Sequence, residues 1–289
     1  MSFSLSRISI PSKASLQSHL RAVIPGVTVG LALLAALPAQ AQESPKTDSS
    51  SVFGDETNVT LGLGVTAGPR YMGSKESMAR PVPVINISRG IFFADSMRGV
   101  GAEYASTSGF YISTALNYDF GRAEKNSDWR PGSSKLRGMG DVKGAATANL
   151  FVAQQIAPWL SVNADAAVRL ADAQERGNRY RLGVTGTVLQ RQQDVVTVGA
   201  NVHAGDQRYN QAYFGVTQAQ AARTAFSAYK AESGVYGYSL TADWKHDFDK
   251  HWSMYLAVSV MDLGGKAKKS PLVMEKTGVT AMAAVGYKF

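Results

Sequence analysis

Histidine is the first residue type to consider for catalysis because its imidazole titrates near neutral pH. The chain has four histidines, and three of them, His203, His246 and His251, lie in its second half. His203 comes near the end of an alternating segment, and Asp206 follows in the next loop. With a serine, this pair would resemble the nucleophile, base and orienting group of an acyl-transfer enzyme. The alternative is an inward polar residue in a hydrogen-bonded interior. We favour that alternative and predict no catalytic residue.

The remaining polar residues do not predict a metal or cofactor site. The chain contains no cysteine, and no two histidines share one face at i, i+2 or i+4. His246 and His251 lie at a strand end and in the adjacent turn, where we interpret them as interface residues. Asp165 and Asp243 stand near basic residues and suit structural ion pairs. We therefore expect no metal and no cofactor.

The elements that position these residues are two-sided strands. In Leu160–Leu170, apolar residues alternate with polar ones, which is the period of a strand with two different faces. Short turns alternate with long loops, and aromatic residues gather at strand ends on the apolar face, as in the interfacial girdles of membrane barrels. The aromatic residues in question are Trp159, Tyr180, Tyr236, Trp252, Tyr287 and Phe289.

The predicted fold is an all-β transmembrane antiparallel β-barrel of about 12 strands. The number falls to ten if the short segments Arg80–Ser88, Gly90–Ser96 and Gly99–Ser106 do not all cross the membrane. Inward polar side chains should fill much of a barrel of this size, so we expect a narrow or plugged lumen. The stretch Gln218–Ala228 predicts either a short helix, with Thr217 as its N-cap, or an unstructured loop.

The first 41 residues predict a cleaved secretory signal peptide. A basic start precedes an apolar run, and Ala39-Gln40-Ala41 fits the cleavage rule, with Gln42 as the first mature residue. We divide the chain into this signal (1–41), a flexible periplasmic segment (42–56) and the barrel (57–289). Without the leader's three basic residues, the formal charge of +8 falls to +5. The positive charge is small and its residues are scattered along the chain. We therefore expect it to attract anionic outer-membrane lipid or lipopolysaccharide and not to bind nucleic acid.

The last strand predicts the destination of the chain. Val279–Phe289 places Val285, Tyr287 and Phe289 on one apolar face. An ending of this kind is typical of outer-membrane barrels, whose assembly machinery reads the terminal aromatic residue. We therefore expect the chain in the outer membrane of a Gram-negative bacterium.

Several short motifs occur in one order along the predicted barrel. They are Gly68-Pro69-Arg70-Tyr71, Arg80-Pro81-Val82-Pro83, Gly140-Asp141-Val142, Tyr213-Phe214-Gly215-Val216, Ser270-Pro271-Leu272-Val273 and Gly286-Tyr287-Lys288-Phe289. Together they resemble the MipA/OmpV family of outer-membrane proteins. In physical terms, Arg80-Pro81-Val82-Pro83 is a stiff, extended entry into an edge segment.

The resemblance implies a scaffold rather than an enzyme. The family's name-giving member is regarded as joining a lytic transglycosylase to a peptidoglycan synthase, and the family offers no agreed catalytic residues. We expect the docking surface at residues 42–56 and at the turns around Gln192-Gln193 and Asp249-Lys250. The alternatives are a narrow channel, an adhesion-type protein or, less favoured, a lipid-modifying barrel enzyme with His203 as base.

Overall fold

The computed structural model describes residues 52–170 and 176–289. Twelve antiparallel strands form a closed barrel in which each strand pairs with its neighbours in sequence and β1 pairs with β12. The strands are β1 (Thr57–Pro69), β2 (Ser77–Arg89), β3 (Phe92–Asp95), β4 (Gly99–Ala105), β5 (Phe110–Asp119), β6 (Ala145–Ala157), β7 (Leu160–Arg169), β8 (Arg179–Gln190), β9 (Asp194–Gly205), β10 (Gly234–Asp247), β11 (Trp252–Leu263) and β12 (Thr277–Lys288). The predicted all-β barrel of twelve strands is confirmed.

The side chains alternate between the two faces of the wall. In β11, Val258 and Val260 are exposed on the outside, whereas Ala257 and Ser259 are buried inside. Exposed large apolar residues recur on the outer face of the other strands, as a lipid-facing surface requires. Alternation with period two therefore places the apolar residues outside and the polar or small ones inside.

The two ends of the barrel differ in their connections. The turns at 90–91, 158–159, 191–193 and 248–251 lie at the end where β1 begins and β12 ends, which we call the short-turn end. The long connections 120–144, 206–233 and 264–276 lie at the opposite end, the loop end. In outer-membrane barrels the short turns face the periplasm and the longer loops face outward.

The wall is incomplete where β3 ends. With four residues β3 is too short to cross a membrane, and it pairs with β2 only at Asn86–Arg89. Ser96 then closes the exposed edge, because Ile85 donates its N–H to Ser96 Oγ at 3.2 Å and that hydroxyl donates to Pro83 O at 2.8 Å. These contacts show that the odd-numbered residues of β2 turn their backbone groups toward the gap. Pro81 and Pro83 thus lack N–H groups where no partner strand is present.

Two short helices lie in the longest loop. Helix α1 spans Gln207–Phe214, with Asp206 as its N-cap, and helix α2 spans Gln218–Ala221. Thr217 caps α2 through a capping box with Gln220, as the sequence predicts, but the helix ends at Ala221 rather than at Ala228. None of the helices in the described ranges is long and apolar enough to cross a membrane.

The prediction for Tyr236 is wrong. Its alternation with Tyr238 and Leu240 placed it on the lipid-facing side, yet it is buried inside the barrel. The register between β9 and β10 shifts at Val235 and Gly237, so a β-bulge turns Tyr236 inward. The sequence pattern predicts a strand over Asp141–Ile156, but β6 begins at Ala145, because residues 141–144 belong to the preceding loop.

Candidate functional site

The interior of the barrel is filled by side chains that bond to one another. Tyr255 donates to Asp243 at 2.6 Å, and Tyr111 donates to Glu103 at 2.7 Å. Arg98 donates to the same Glu103 carboxylate at 2.7 Å. Tyr255 and Tyr111 are fully buried. Inward side chains that faced a wide water-filled channel would instead be exposed, so side chains fill the interior around these two tyrosines.

His203 belongs to this filled interior. Its Nε2 lies 2.9 Å from Ser239 Oγ, and both residues are buried. Asp206, which the sequence placed beside His203, instead accepts the backbone N–H groups of Tyr209 and Asn178. The arrangement lacks the access to substrate that a nucleophile and base require. It fits the favoured interpretation of His203 as a hydrogen-bonded lumen residue.

The two inward aspartates differ in their partners. Asp165 faces Arg181 directly across the β7–β8 pair, and their ion pairing stays a prediction. Asp243 does not pair with Lys245, because Lys245 forms its ion pair with Asp247 and Asp243 accepts the Tyr255 phenol. Asp243 and Lys245 lie two positions apart on one strand and face the same side, yet they bond to different residues. The sequence alone did not show which partner each would have.

The loop end is closed by an aromatic cluster beneath α1. Tyr209 and Phe214 pack against Tyr236 with ring centroids 5.5 and 5.7 Å apart, and Tyr213 packs against Tyr209 at 4.7 Å. Burial raises the pKa of Tyr209 and of Tyr213, so both phenols remain neutral. Because the bulge turns Tyr236 inward, its ring lies where it can pack against α1.

The sequence motifs meet above this cluster. Tyr71 and Val216 lie in one buried apolar cluster with Leu272, although they come from three different connections. Tyr71 donates its phenol to Leu272 O at 3.1 Å, and burial raises its pKa. Arg70 O accepts the N–H of Gly132 at 2.9 Å. These motif residues therefore fasten the loops to one another.

The rest of the motifs are also structural. Gly68 and Pro69 form the end of β1, where a Cβ on Gly68 would lie 2.7 Å from Thr280 Oγ1. Gly215 is the C-cap of α1, and Phe214 O accepts the Ser270 hydroxyl at 2.6 Å.

A cavity of about 670 Å³ opens beside α1 at the loop end. Its lining is rich in basic residues, with Arg122, Lys143, Arg169, Arg176 and Arg208 against Asp141 and Asp206. Arg122 is buried, and it donates to the carbonyls of Tyr213 at 2.7 Å and Ala212 at 3.3 Å. Arg122 thereby ties the β5–β6 loop to the end of α1.

Sequence reasoning missed this site. Arg122 stands in a polar loop without a local pattern, and only the folded loops bring it to α1. Helix α1 did carry a signal, because Asp206 is a good N-cap residue and Tyr209 and Tyr213 follow at helical spacing.

The short-turn end carries a segment that precedes the first strand. Ile91 donates its N–H to Val52 O at 3.1 Å, and the rings of Phe53 and Phe92 stack at 5.6 Å. Val52 and Phe53 are nevertheless 55% and 65% exposed. The part of 42–56 that the structure describes is thus fixed against the β2–β3 turn, with apolar surface still open.

The predicted docking turns are well ordered by local hydrogen bonds. Asp249 Oδ1 accepts the N–H groups of His251 and Trp252, each at 2.7 Å, and these bonds lower its pKa. Asp247 donates its N–H to Gln193 O at 2.8 Å, which joins the two turns. The two predicted docking turns therefore form one continuous surface.

The predicted assembly residues lie on the outer face of the last strand. Val285 and Phe289 are exposed, and Tyr287 packs against Trp252 and Phe289 with ring centroids 5.0 and 4.9 Å apart. Their role in assembly stays a prediction. Ala41 and Gln42 lie outside the described residues, so signal cleavage stays a prediction as well.

The closed barrel, its lipid-facing outer wall and its unequal ends define an outer-membrane β-barrel protein. The sequence model of the family described as MltA-interacting protein MipA matches residues 61–289. The chain therefore belongs to the MipA family.

Comparison with solved structures finds several outer-membrane proteins at low similarity. An outer-membrane channel from Pseudomonas putida F1 is 8% identical with a TM-score of 0.47, covering 84% of this chain and 100% of its own. The KdgM porin is 9% identical with a TM-score of 0.36, covering 80% of this chain and 99% of its own. The translocator domain of autotransporter NalP from Neisseria meningitidis is 10% identical with a TM-score of 0.39, covering 82% and 89%. Similarity this low carries no argument about function. No curated protein matches the chain significantly.

Proposed function

We propose that this outer-membrane barrel is a non-enzymatic scaffold that docks cell-wall enzymes on its short-turn end. The observation that carries the proposal is the set of buried, hydrogen-bonded side chains inside the barrel. Tyr255 with Asp243, and Tyr111 with Glu103 and Arg98, occupy the space that a wide channel would need. We expect a barrel filled in this way to act mainly through its surfaces.

The family description adds the kind of partner. It names an interaction with MltA, and the family resemblance implies a lytic transglycosylase and a peptidoglycan synthase as partners. Such enzymes act on the cell wall, which lies on the periplasmic side, where the short turns of outer-membrane barrels face. The docking surface comprises the exposed Val52 and Phe53 and the joined turns around Gln192-Gln193 and Asp249-Lys250. Exposed aromatic and apolar side chains on a fixed backbone suit a protein interface.

The proposal is tested by affinity capture from envelope extracts with the mature barrel as bait. Variants lack residues 42–56 or carry Gln192→Ala with Gln193→Ala, or Asp249→Ala with Lys250→Ala. Arg223→Ala at the loop end is the matched control. We expect mass spectrometry to find a lytic transglycosylase with the wild-type bait and the control, and less of it with the other variants. Recovery of no murein hydrolase or synthase with any bait would refute the proposal.

A further inference from the structure

We infer that the cavity beside α1 binds a small anion bearing a phosphate or carboxylate group, with Arg122 as its main anchor and Arg208 at its rim. The site lies at the loop end, opposite the proposed docking surface. It is therefore independent of the scaffold function.

The charge of the cavity favours an anion. Among the described residues that line it, five are basic and two are acidic, and one of the five, Arg176, forms an ion pair with Asp119. Both acidic side chains are occupied by other groups. Asp206 accepts the backbone N–H groups of Asn178 and Tyr209, and Asp141 accepts the N–H of Glu124 and pairs with Arg130. Neither aspartate forms an ion pair with Arg122.

Arg122 supplies the strongest argument. It is 3% exposed, and the hydrogen bonds of its guanidinium go to two backbone carbonyls. No carboxylate forms an ion pair with it within residues 52–170 and 176–289, and its Nε has no hydrogen-bond partner there. A buried charge without a counter-charge is costly, and its desolvation lowers the pKa of Arg122. An oxyanion in the cavity would remove that cost.

The shape of the site limits the ligand to a small molecule or a head group. A cavity of about 670 Å³ falls within the range that proteins use for small ligands. Guanidinium groups recognise phosphate and carboxylate through paired N–H donors, which makes arginine more specific than lysine for such groups. Arg208 is exposed in the first turn of α1, so it can reach a ligand at the cavity's rim.

Isothermal titration calorimetry of the full barrel in detergent tests the inference. The probes are glucose 6-phosphate, glucuronate and neutral glucose, and a parallel arm uses lipopolysaccharide micelles before and after dephosphorylation. We expect the wild type to bind at least one anionic probe and not glucose. Saturation by the free sugars identifies a soluble ligand, whereas saturation only by phosphorylated micelles identifies a lipid-held group.

Substitutions of arginines inside and outside the cavity show whether an anion binds at this site or is attracted by the overall positive charge of the protein. Arg122→Gln and Arg208→Gln should each weaken binding about tenfold to a hundredfold, as expected for the loss of a charge-assisted hydrogen bond. Arg191→Gln, an exposed arginine at the short-turn end, should bind like the wild type. Heat-modifiable gel mobility verifies the fold of each variant. If Arg122→Gln does not fold, the binding affinity of Arg208→Gln tests the inference instead.

Three results would overturn the inference. They are equal binding of glucose and the anions, no saturable binding of any probe up to about 10 mM, and unchanged affinity in the folded variants.

Discussion

The phenol of Tyr255 donates a hydrogen bond to Oδ1 of Asp243 at 2.6 Å, and both side chains are buried inside the barrel. The bond joins β10 to β11 and fills the lumen at the level where Val84 and Met282 form an apolar cluster with Tyr255. A buried polar group in such a place has no water to replace a lost partner. The contact therefore both links two strands and fills part of the barrel interior.

Loss of this bond should destabilise the barrel. Tyr255→Phe removes the phenol donor from the Asp243 carboxyl group, and we expect the free energy of unfolding to fall by about 1–3 kcal/mol. Urea unfolding in lipid vesicles measures it. Tyr104→Phe, which removes a phenol from the exposed outer face, should change the free energy by less than about 0.5 kcal/mol. An equal effect of the two substitutions would show that the buried bond contributes nothing.

The seam between β1 and β12 depends on a glycine. Gly62 pairs with Gly286, and a Cβ on Gly62 would lie 2.1 Å from Val285 O. Gly62→Ala should therefore force the seam apart and lower the free energy of unfolding by about 1–3 kcal/mol. Gly186→Ala is the control, since the nearest heavy atom to its Cβ would be 3.7 Å away. Unfolding curves that match for both variants would contradict the close approach at the seam.

The prolines of β2 should protect the unpaired edge. Pro81→Thr with Pro83→Thr adds two backbone N–H groups facing the gap beside β3, where no partner strand accepts them. An unsatisfied N–H in apolar surroundings costs several kcal/mol, so we expect the double variant to lose about 2 kcal/mol or more of stability in vesicles. Pro158→Thr in a short turn is the control. A double variant as stable as the wild type would mean that the edge needs no such protection.

The β5–β6 loop should loosen at acid pH through Asp141. The N–H of Glu124 and then the Arg130 guanidinium stabilise the charged carboxylate, so its pKa in the folded loop lies below the usual value. The carboxylate therefore contributes stability above the unfolded pKa of about 3.9, and this contribution is lost as the pH falls through the lower folded pKa.

Pepsin cleavage of the loop measures this dependence. At pH 4–5, Asp141→Asn should be cut faster than the wild type, and the two rates should converge near pH 2. Asp128→Asn, at an exposed aspartate of the same loop, is the control. A constant ratio of the two rates across this range would exclude Asp141 as the titrating group.

Local patterns predicted much of the barrel. The alternation in segments such as Leu160–Arg169 determines which face meets lipid, and the turn residues between them set the number of strands. The same patterns failed where geometry depends on a neighbouring strand. Tyr236 turns inward because of a bulge against β9, and a bulge of this kind has no signature in β10 alone. The short β3 also depends on how far its partners extend.

The candidate sites were less predictable than the fold. The docking turns could be proposed because a tight turn is visible between two alternating segments. The basic cavity could not, because Arg122 and Arg208 are 86 positions apart and only the folding of two loops brings both to its wall. Contacts between loops follow from tertiary packing, which no single segment encodes.

The most direct test of the scaffold account is the affinity between the nanodisc-embedded barrel and a purified lytic transglycosylase from the same envelope. Biolayer interferometry would compare the wild type with a variant that combines the four turn substitutions, and with Arg223→Ala as the control. The account predicts saturable binding by the wild type and the control, and binding at least about tenfold weaker in the turn variant. Absence of binding by the wild type, or equal binding by the turn variant, would contradict it.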